Sequence, residues 1–99
     1  MKSMMVSELK ERLEASDIFL VDVREPEEHA QMSIPGAHLM PLATFSYEQL
    51  PVKFSTIVIH CHSGKRSAMA CERLLAEHPN LDVYNVEGGI LAWKAAGYA

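Results

Sequence analysis

The sequence predicts an α/β fold in which a small parallel β-sheet is flanked by helices on both faces. Two observations lead to this fold class. Short apolar runs rich in β-forming residues alternate along the chain with longer segments of helical periodicity. The clearest run, "STIVIH" at 55–60, is apolar almost throughout, as strands buried on both faces usually are. Strands that alternate with helices favour a parallel sheet that lies between two layers of helices.

The first half of the chain is predicted to contain two helices, one strand and a short helical turn. Apolar residues at helical spacing indicate a helix over 7–15, with Ser7 as its N-cap. A buried strand follows at 17–23. Pro26 and the two glutamates after it favour the start of a second helix. Beyond a Pro-Gly turn and a few extended residues, one or two helical turns are expected over 44–51.

The second half continues the alternation. The strand at 55–60 precedes a helix over 67–78 that Pro79 ends, and a strand at 81–86 precedes a last helix within 88–98. The residues expected to face the core from these two helices are Ala68, Cys71, Leu74, Leu75, Ile90, Leu91 and Trp93.

Composition restricts the class of protein. The 99 residues are 48% hydrophobic, which suits a single domain over 1–99 with a real core. The net charge of -4 provides no basic footprint for nucleic acid, and no apolar run is long enough to span a membrane. Charges come too early in the chain for a signal peptide, so a cytoplasmic location is expected. Two cysteines do not make a secreted disulfide scaffold.

Three segments follow predicted strands, where parallel sheets bind their ligands. They are "VDVRE" at 21–25, the loop that begins at Cys61, and "VEGG" at 86–89. If the strands are neighbours, these segments converge on one edge of the sheet. The sequence leaves the strand order open.

The loop "CHSGKRS" at 61–67 has the composition of an anion-binding turn. It is short, so it must curl tightly, and Gly64 allows a positive φ in that curl. Successive backbone amides of such a turn point inward, and the helix N-terminus behind them adds partial positive charge. Lys65 and Arg66 add full charges. Because a free thiol has a pKa of about 8.5 that such surroundings lower, Cys61 is predicted to be largely thiolate near neutral pH and nucleophilic.

The motifs of this chain resemble those of the rhodanese-like sulfurtransferases. In that family the active-site loop begins at a cysteine and ends at an arginine, with four residues between them. Cys61 and Arg66 have this spacing here. "VDVREPEEHAQMSIPGAHLMPL" resembles the N-terminal motif of the family, and "NVEGGILAWKAAGY" its C-terminal motif. The resemblance covers 18–98. One departure is that Met32 and Ser33 stand where many members have Gly-His, for which we expect a packing or loop-fixing role.

The resemblance implies a reaction. Cys61 would take the outer sulfur of thiosulfate or of a persulfide donor and become a persulfide. A thiol, a thioredoxin-like protein, a sulfur-relay protein or, in an assay, cyanide would then remove it. The backbone amides of His62, Ser63, Gly64, Lys65 and Arg66 would hold the terminal sulfur, without a metal or an organic cofactor.

Two side chains of the loop have further roles implied by the resemblance. Lys65 would assist anionic donors. Arg66 would close the loop with an acidic partner, for which Asp22 and Glu87 are the candidates.

Simpler interpretations exist for several residues. Cys61 could be a core residue at a strand end, although the loop behind it favours a nucleophile, and Cys71 is best explained as core packing. A zinc site from the two cysteines with His60 and His62 is disfavoured, because His60 should point to the other side of its strand from Cys61.

Polar residues outside the loop have structural interpretations. Asp22 and Arg24 are best explained as a local structural pair, with a position of Arg24 near the edge of the site as the lesser alternative. The remaining histidines, His29, His38 and His78, are expected at the surface or in turns.

Two other function classes remain as alternatives. Cysteine-dependent phosphatases and arsenate reductases also use a cysteine-to-arginine anion loop, but with one more residue between the two ends, which suits a wider oxyanion. The spacing from Cys61 to Arg66 fits a single sulfur atom better. Some rhodanese-like domains have lost the cysteine and act as non-catalytic binding modules, whereas this chain keeps it.

Overall fold

The computed structural model describes residues 1–51 and 56–98. Within these residues, five strands form one sheet in which every neighbouring pair is parallel, in the order β1-β5-β4-β2-β3. The strands are β1 (Lys2–Met4), β2 (Phe19–Asp22), β3 (His38–Leu39), β4 (Thr56–His60) and β5 (Asp82–Val86). The helices are α1 (Val6–Ala15), α2 (Pro26–Gln31), α3 (Lys65–Glu77) and α4 (Gly89–Ala95), with a 3-10 turn at Tyr47–Gln49.

Two apolar clusters, one on each face of the sheet, form the core. On one face, Ala70, Cys71 and Leu74 of α3 pack against alternate residues of the central strands. On the other face, Leu9 of α1 and the pair Ile90 and Trp93 of α4 do the same. The predicted α/β architecture, a parallel sheet with helices on both faces, is therefore confirmed.

The register of the central strands determines where the loops meet. Strand β4 lies between β2 and β5, with Asp22 opposite His60 and Ile59 opposite Asn85. Because all three strands run in the same direction, their carboxyl ends share one edge of the sheet. The segments after Asp22, His60 and Val86 are thus brought together, which the sequence alone had left open.

Several predicted boundaries differ from the observed ones. Strand β1 was not predicted, since Lys2 and Ser3 are exposed and of its residues only Met4 is buried. Helix α1 begins at Val6 with Met5 at the N-cap, so the prediction of Ser7 as the cap was wrong. Helix α3 begins at Lys65, two residues earlier than predicted.

Other predictions differ in detail. Leu91 does not face the core, because its side chain is 47% exposed. Residue 55 of the predicted strand lies outside the described residues. Within the part of the chain that is described, no helix is both long enough and apolar enough to cross a membrane.

Candidate active site

Cys61 is the first residue after β4, and its side chain is almost completely enclosed, at 1% exposure. Its sulfur is surrounded by hydrogen-bond donors. The backbone N–H of Gly64 lies 3.1 Å from Sγ, and the hydroxyl oxygen of Ser67 lies 3.4 Å from it. Sequence analysis did not identify Ser67 as a site residue, although it occupies the first turn of the helix that follows the loop.

The pKa of the Cys61 thiol results from two opposing effects. Burial raises the pKa, but hydrogen bonds from the Ser67 hydroxyl and from the backbone amides of Ser67, Gly64 and Ser63 lower it by more. The resulting pKa lies below that of an ordinary thiol, in the predicted direction. The arrangement therefore favours a thiolate in a site closed to bulk water.

The loop turns at Gly64, whose φ of +111° provides the left-handed conformation that the short connection requires. Gly64 is also the N-cap of α3, and its carbonyl oxygen accepts a hydrogen bond from Ala68 at 3.1 Å. The same carbonyl accepts a bond from Asn85 Nδ2 at 3.2 Å. Asn85, on β5, thus fixes the loop from the neighbouring strand. Sequence analysis did not identify this role, for which the sequence offers only the presence of a polar residue within a predicted strand.

Arg66 is held by Glu28, which corrects the expectation that Asp22 or Glu87 would be its partner. Its two terminal nitrogens donate to the two carboxylate oxygens of Glu28 at 2.8 and 2.9 Å. These bonds bring the pKa of Glu28 down to about 2. Glu28 lies on α2, directly after the loop that follows β2, whereas Glu87 is exposed.

Asp22 is unavailable to Arg66 because it belongs to a buried network below the loop. It is fully buried and binds Arg24 through both carboxylate oxygens, with the shortest contact at 2.9 Å. Burial raises the pKa of Asp22, but the hydrogen bonds from Arg24 and His29 lower it by more. The interpretation of Asp22 and Arg24 as a local structural pair agrees with this geometry.

This network also contains His29, which was predicted to be a surface or turn residue. Its Nδ1 lies 2.9 Å from Asp22 Oδ2, and the side chain is 27% exposed, so His29 reaches the surface but also binds a buried carboxylate that the sequence did not indicate. Arg24 in turn donates to the backbone carbonyl of Met32 at 2.6 Å. The segment that departs from the common Gly-His pattern is therefore fixed through its backbone.

His60 and Cys61 point to opposite sides of the strand end, as expected from the alternation of side chains. The His60 ring is fully buried near Asp22, with Nε2 at 3.9 Å from Oδ2, and burial lowers its pKa. Its Nδ1 donates to the carbonyl of Cys61 at 3.1 Å, because a carbonyl can only accept. His60 therefore supports the backbone of the loop from below and does not face the sulfur.

Helix α4 closes the site from the side of β5. The backbone N–H groups of Ile90 and Leu91 donate to the carbonyls of Cys61 and His62 at 3.0 and 3.2 Å. A Cβ atom at Gly89 would lie 2.5 Å from the carbonyl oxygen of His62 and 2.7 Å from that of Cys61. The second glycine of "VEGG" is thus required for the close approach of the helix to the loop.

An open cavity of about 260 Å³ adjoins the loop at His62. The other residues that line it are Arg24, Glu28, Gln31, Met32, Ile90, Leu91 and Lys94. A larger cavity, of about 530 Å³, lies at the other end of α3 between Tyr47 and His78 and contains no loop residue. Of these two cavities, the smaller one borders the loop, at His62.

Comparison with known proteins finds relatives that match over most of the chain. The chain is 40% identical over 92 residues to a sulfurtransferase from Allochromatium vinosum, covering 90% of this chain and 84% of that protein. It is 30% identical over 96 residues to the thiosulfate sulfurtransferase GlpE of Pseudoalteromonas translucida, covering 96% and 90%. Against the Synechocystis protein slr1261 it is 40% identical over 81 residues, which is 81% of this chain but only 45% of that protein.

Solved structures share the fold over the whole chain. The rhodanese-related protein of Thermoplasma volcanium superposes with a TM-score of 0.85 at 29% identity, covering 100% of this chain and 96% of that one. Residues 5–96 match the family described as Rhodanese-like domain. This match covers nearly the whole chain, including all three segments that meet at Cys61, and the chain belongs to the rhodanese-like domain family.

Proposed function

We propose that this protein is a sulfurtransferase that carries sulfane sulfur on Cys61, from thiosulfate or a persulfide donor to a thiol acceptor. The observation that carries the proposal is the sulfur of Cys61 enclosed by donors, with the Gly64 amide at 3.1 Å and a pKa below the ordinary value. A thiolate is the nucleophilic form of cysteine, and donors that stabilise it also stabilise an anion bound to it. The relatives named sulfurtransferase support the same reaction class.

In the first half-reaction the thiolate of Cys61 attacks the outer sulfur of thiosulfate. A bond forms between Sγ and that sulfur, the sulfur–sulfur bond of thiosulfate breaks, and sulfite leaves with its electron pair. The negative charge moves to the terminal sulfur of the persulfide, near the backbone amides of 62–66. No proton, metal or organic cofactor takes part in this step.

In the second half-reaction an acceptor thiolate attacks the terminal sulfur and restores the thiolate of Cys61. The cavity beside His62 suits the approach of a small thiol or of the reactive cysteine of a thioredoxin-like or sulfur-relay protein. A reducing compartment such as the cytoplasm suits a protein whose two cysteines are both free.

The test is an intact-mass measurement after incubation with thiosulfate, followed by mapping of the modified peptide. We expect a gain of one sulfur atom on the peptide that contains Cys61, in the native protein and in Cys71→Ala, and no gain in Cys61→Ser. A gain that persists in Cys61→Ser would overturn the assignment of the nucleophile.

Two outcomes would favour the alternative functions. Release of phosphate from an aryl phosphate without any sulfur loading would favour a phosphatase. A folded protein that acquires no sulfur from thiosulfate, from a small-molecule persulfide or from a persulfidated protein would favour a binding module.

A further inference from the structure

The hydroxyl of Ser67 faces two hydrogen-bond acceptors at once. Its oxygen lies 3.4 Å from Cys61 Sγ and 2.5 Å from Asn85 Oδ1. A serine hydroxyl carries one proton and can donate it to one acceptor at a time. The sulfur and the amide oxygen therefore compete for the same proton.

The orientation of the Asn85 amide follows from its second contact. Asn85 Nδ2 lies 3.2 Å from the carbonyl oxygen of Gly64, and a carbonyl oxygen only accepts hydrogen bonds. The reversed amide would place two acceptors against each other at that contact. Oδ1 must therefore face Ser67, where it can only accept, so any hydrogen bond between these two oxygens uses the proton of the Ser67 hydroxyl.

We propose that Asn85 is a positioning residue that withdraws the proton of the Ser67 hydroxyl from Cys61 Sγ whenever that sulfur is uncharged. When Sγ carries a proton, the thiol donates to Ser67 Oγ, and the hydroxyl donates to Asn85 Oδ1. When Sγ is a thiolate, the hydroxyl turns to the sulfur, and Asn85 Oδ1 loses its donor. One hydroxyl thus serves both forms of the sulfur, and Asn85 stabilises the uncharged form relative to the thiolate.

The same exchange extends to the loaded protein, a part that rests on the proposed function. In a persulfide the charge resides on the terminal sulfur, and Sγ becomes a neutral sulfur bonded on both sides. The hydroxyl of Ser67 then has no anion at Sγ to bind and returns to Asn85. Asn85 would therefore favour loading, because it stabilises the arrangement after the transfer and not the thiolate before it.

The principal experiment measures the pKa of Cys61 in Asn85→Ala from the pH dependence of its alkylation by iodoacetamide. Cys71 does not interfere, because it is fully buried and burial raises its pKa to about 12. Without the competing oxygen, the hydroxyl is free for the thiolate, so the pKa should fall by about half a unit to one unit. Below the pKa this corresponds to about threefold to tenfold more thiolate.

The direction of the shift separates this role from a merely structural one. Asn85→Ala also removes the bond to the Gly64 carbonyl, and a loosened loop would weaken the Gly64 amide bond to Sγ and raise the pKa. An unchanged or raised pKa would therefore overturn the proposal. Asn80→Ala, at an exposed asparagine of a loop, is the matched control and should leave the pKa unchanged. Asn85→Val replaces the alanine variant if that variant does not fold, since valine favours strands.

Two further measurements complete the test. In a Ser67→Ala background, Asn85→Ala should no longer lower the pKa of Cys61, and an equal fall in both backgrounds would show that the effect does not pass through the hydroxyl. At a pH above the pKa of Cys61 and a fixed ratio of thiosulfate to sulfite, the ratio of loaded to unloaded protein should be about threefold to tenfold lower for Asn85→Ala than for the native protein. An unchanged ratio would overturn the extension to the persulfide. The pKa measurement needs no sulfur donor, so a failure of the proposed function would be seen separately from a failure of this inference.

Discussion

Replacement of Glu28 by glutamine tests how firmly α2 holds the loop that follows Cys61. The carboxylate of Glu28 accepts two hydrogen bonds from Arg66, at 2.8 and 2.9 Å, across 38 positions of the sequence. Glu28→Gln removes the charge and one acceptor but keeps the shape of the side chain. It also keeps an oxygen for the backbone N–H of Glu25, which Glu28 Oε1 binds at 2.9 Å. The change therefore isolates the ion pair from the helix cap.

The size of the effect follows from the pKa of Glu28 and its exposure. A fall from 4.5 to about 2 would correspond to about 3 kcal/mol for a shielded group. Both side chains of the pair are about one-third exposed, at 33% and 34%, so solvent screens much of that interaction. We expect the free energy of unfolding to fall by about 1 kcal/mol at neutral pH.

The pH dependence of this loss has a definite sign. The pKa of Glu28 is lower in the folded than in the unfolded protein, so the stabilisation is complete above 4.5 and is lost as the pH falls through about 2. The difference in the free energy of unfolding between the native protein and Glu28→Gln should therefore shrink, at about pH 3, to less than half of its value at neutral pH.

Urea unfolding followed by the fluorescence of Trp93, the single tryptophan and a buried one, measures this difference. Glu27→Gln is the matched control, since Glu27 is an exposed neighbour in the same first turn of α2. Equal losses in the two variants, or a loss in Glu28→Gln that persists undiminished in acid, would refute the reasoning.

Three other substitutions probe different parts of the site. Lys65→Ala should raise the KM for thiosulfate about threefold to tenfold and leave the KM for an uncharged donor unchanged, because Lys65 is exposed beside the loop and supplies only charge. Equal changes for both donors would mean that Lys65 shapes the loop. Asp22→Asn leaves the buried Arg24 without a countercharge and should lower the free energy of unfolding by about 3 to 5 kcal/mol, measured in urea. Gly89→Ala would force its Cβ against the carbonyl oxygen of His62 at a φ of +58°, so it should lower the free energy of unfolding by about 2 kcal/mol and slow the alkylation of Cys61. Native stability together with a native alkylation rate would contradict the close approach.

The central part of the fold could be predicted because its signals are local. The apolar run that became β4 and the helical stripe that became α3 are each evident within a few residues. Strand β1 could not be predicted, because Lys2 and Ser3 are exposed and its strand conformation depends on pairing with β5, some eighty positions away. An edge strand of this kind is stabilised by its partner and not by its own composition.

The same distinction applies to the site. The turn at Gly64 and the nearness of its amide to Cys61 follow from a short connection between a strand and a helix, so the sequence contains them. The pair formed by Arg66 and Glu28 depends on β2 lying beside β4. No single segment of the sequence determines that strand order. Asp22 and Glu87 were reasonable candidates at strand ends, and only the side-by-side packing of α2 and the loop distinguishes Glu28 from them.

The two cysteines show why the loop, and not burial or residue type, decides the chemistry. Cys61 and Cys71 are both enclosed, at 1% and 0% exposure, and both lie in the same apolar cluster. At Cys71 burial dominates and raises the pKa to about 12, which leaves an inert thiol in the core. At Cys61 burial acts in the same direction, yet the donors of Ser67, Gly64 and Ser63 reverse the outcome. Because the two residues share their surroundings on the apolar side, the difference in pKa between them is due to the hydrogen bonds of the loop.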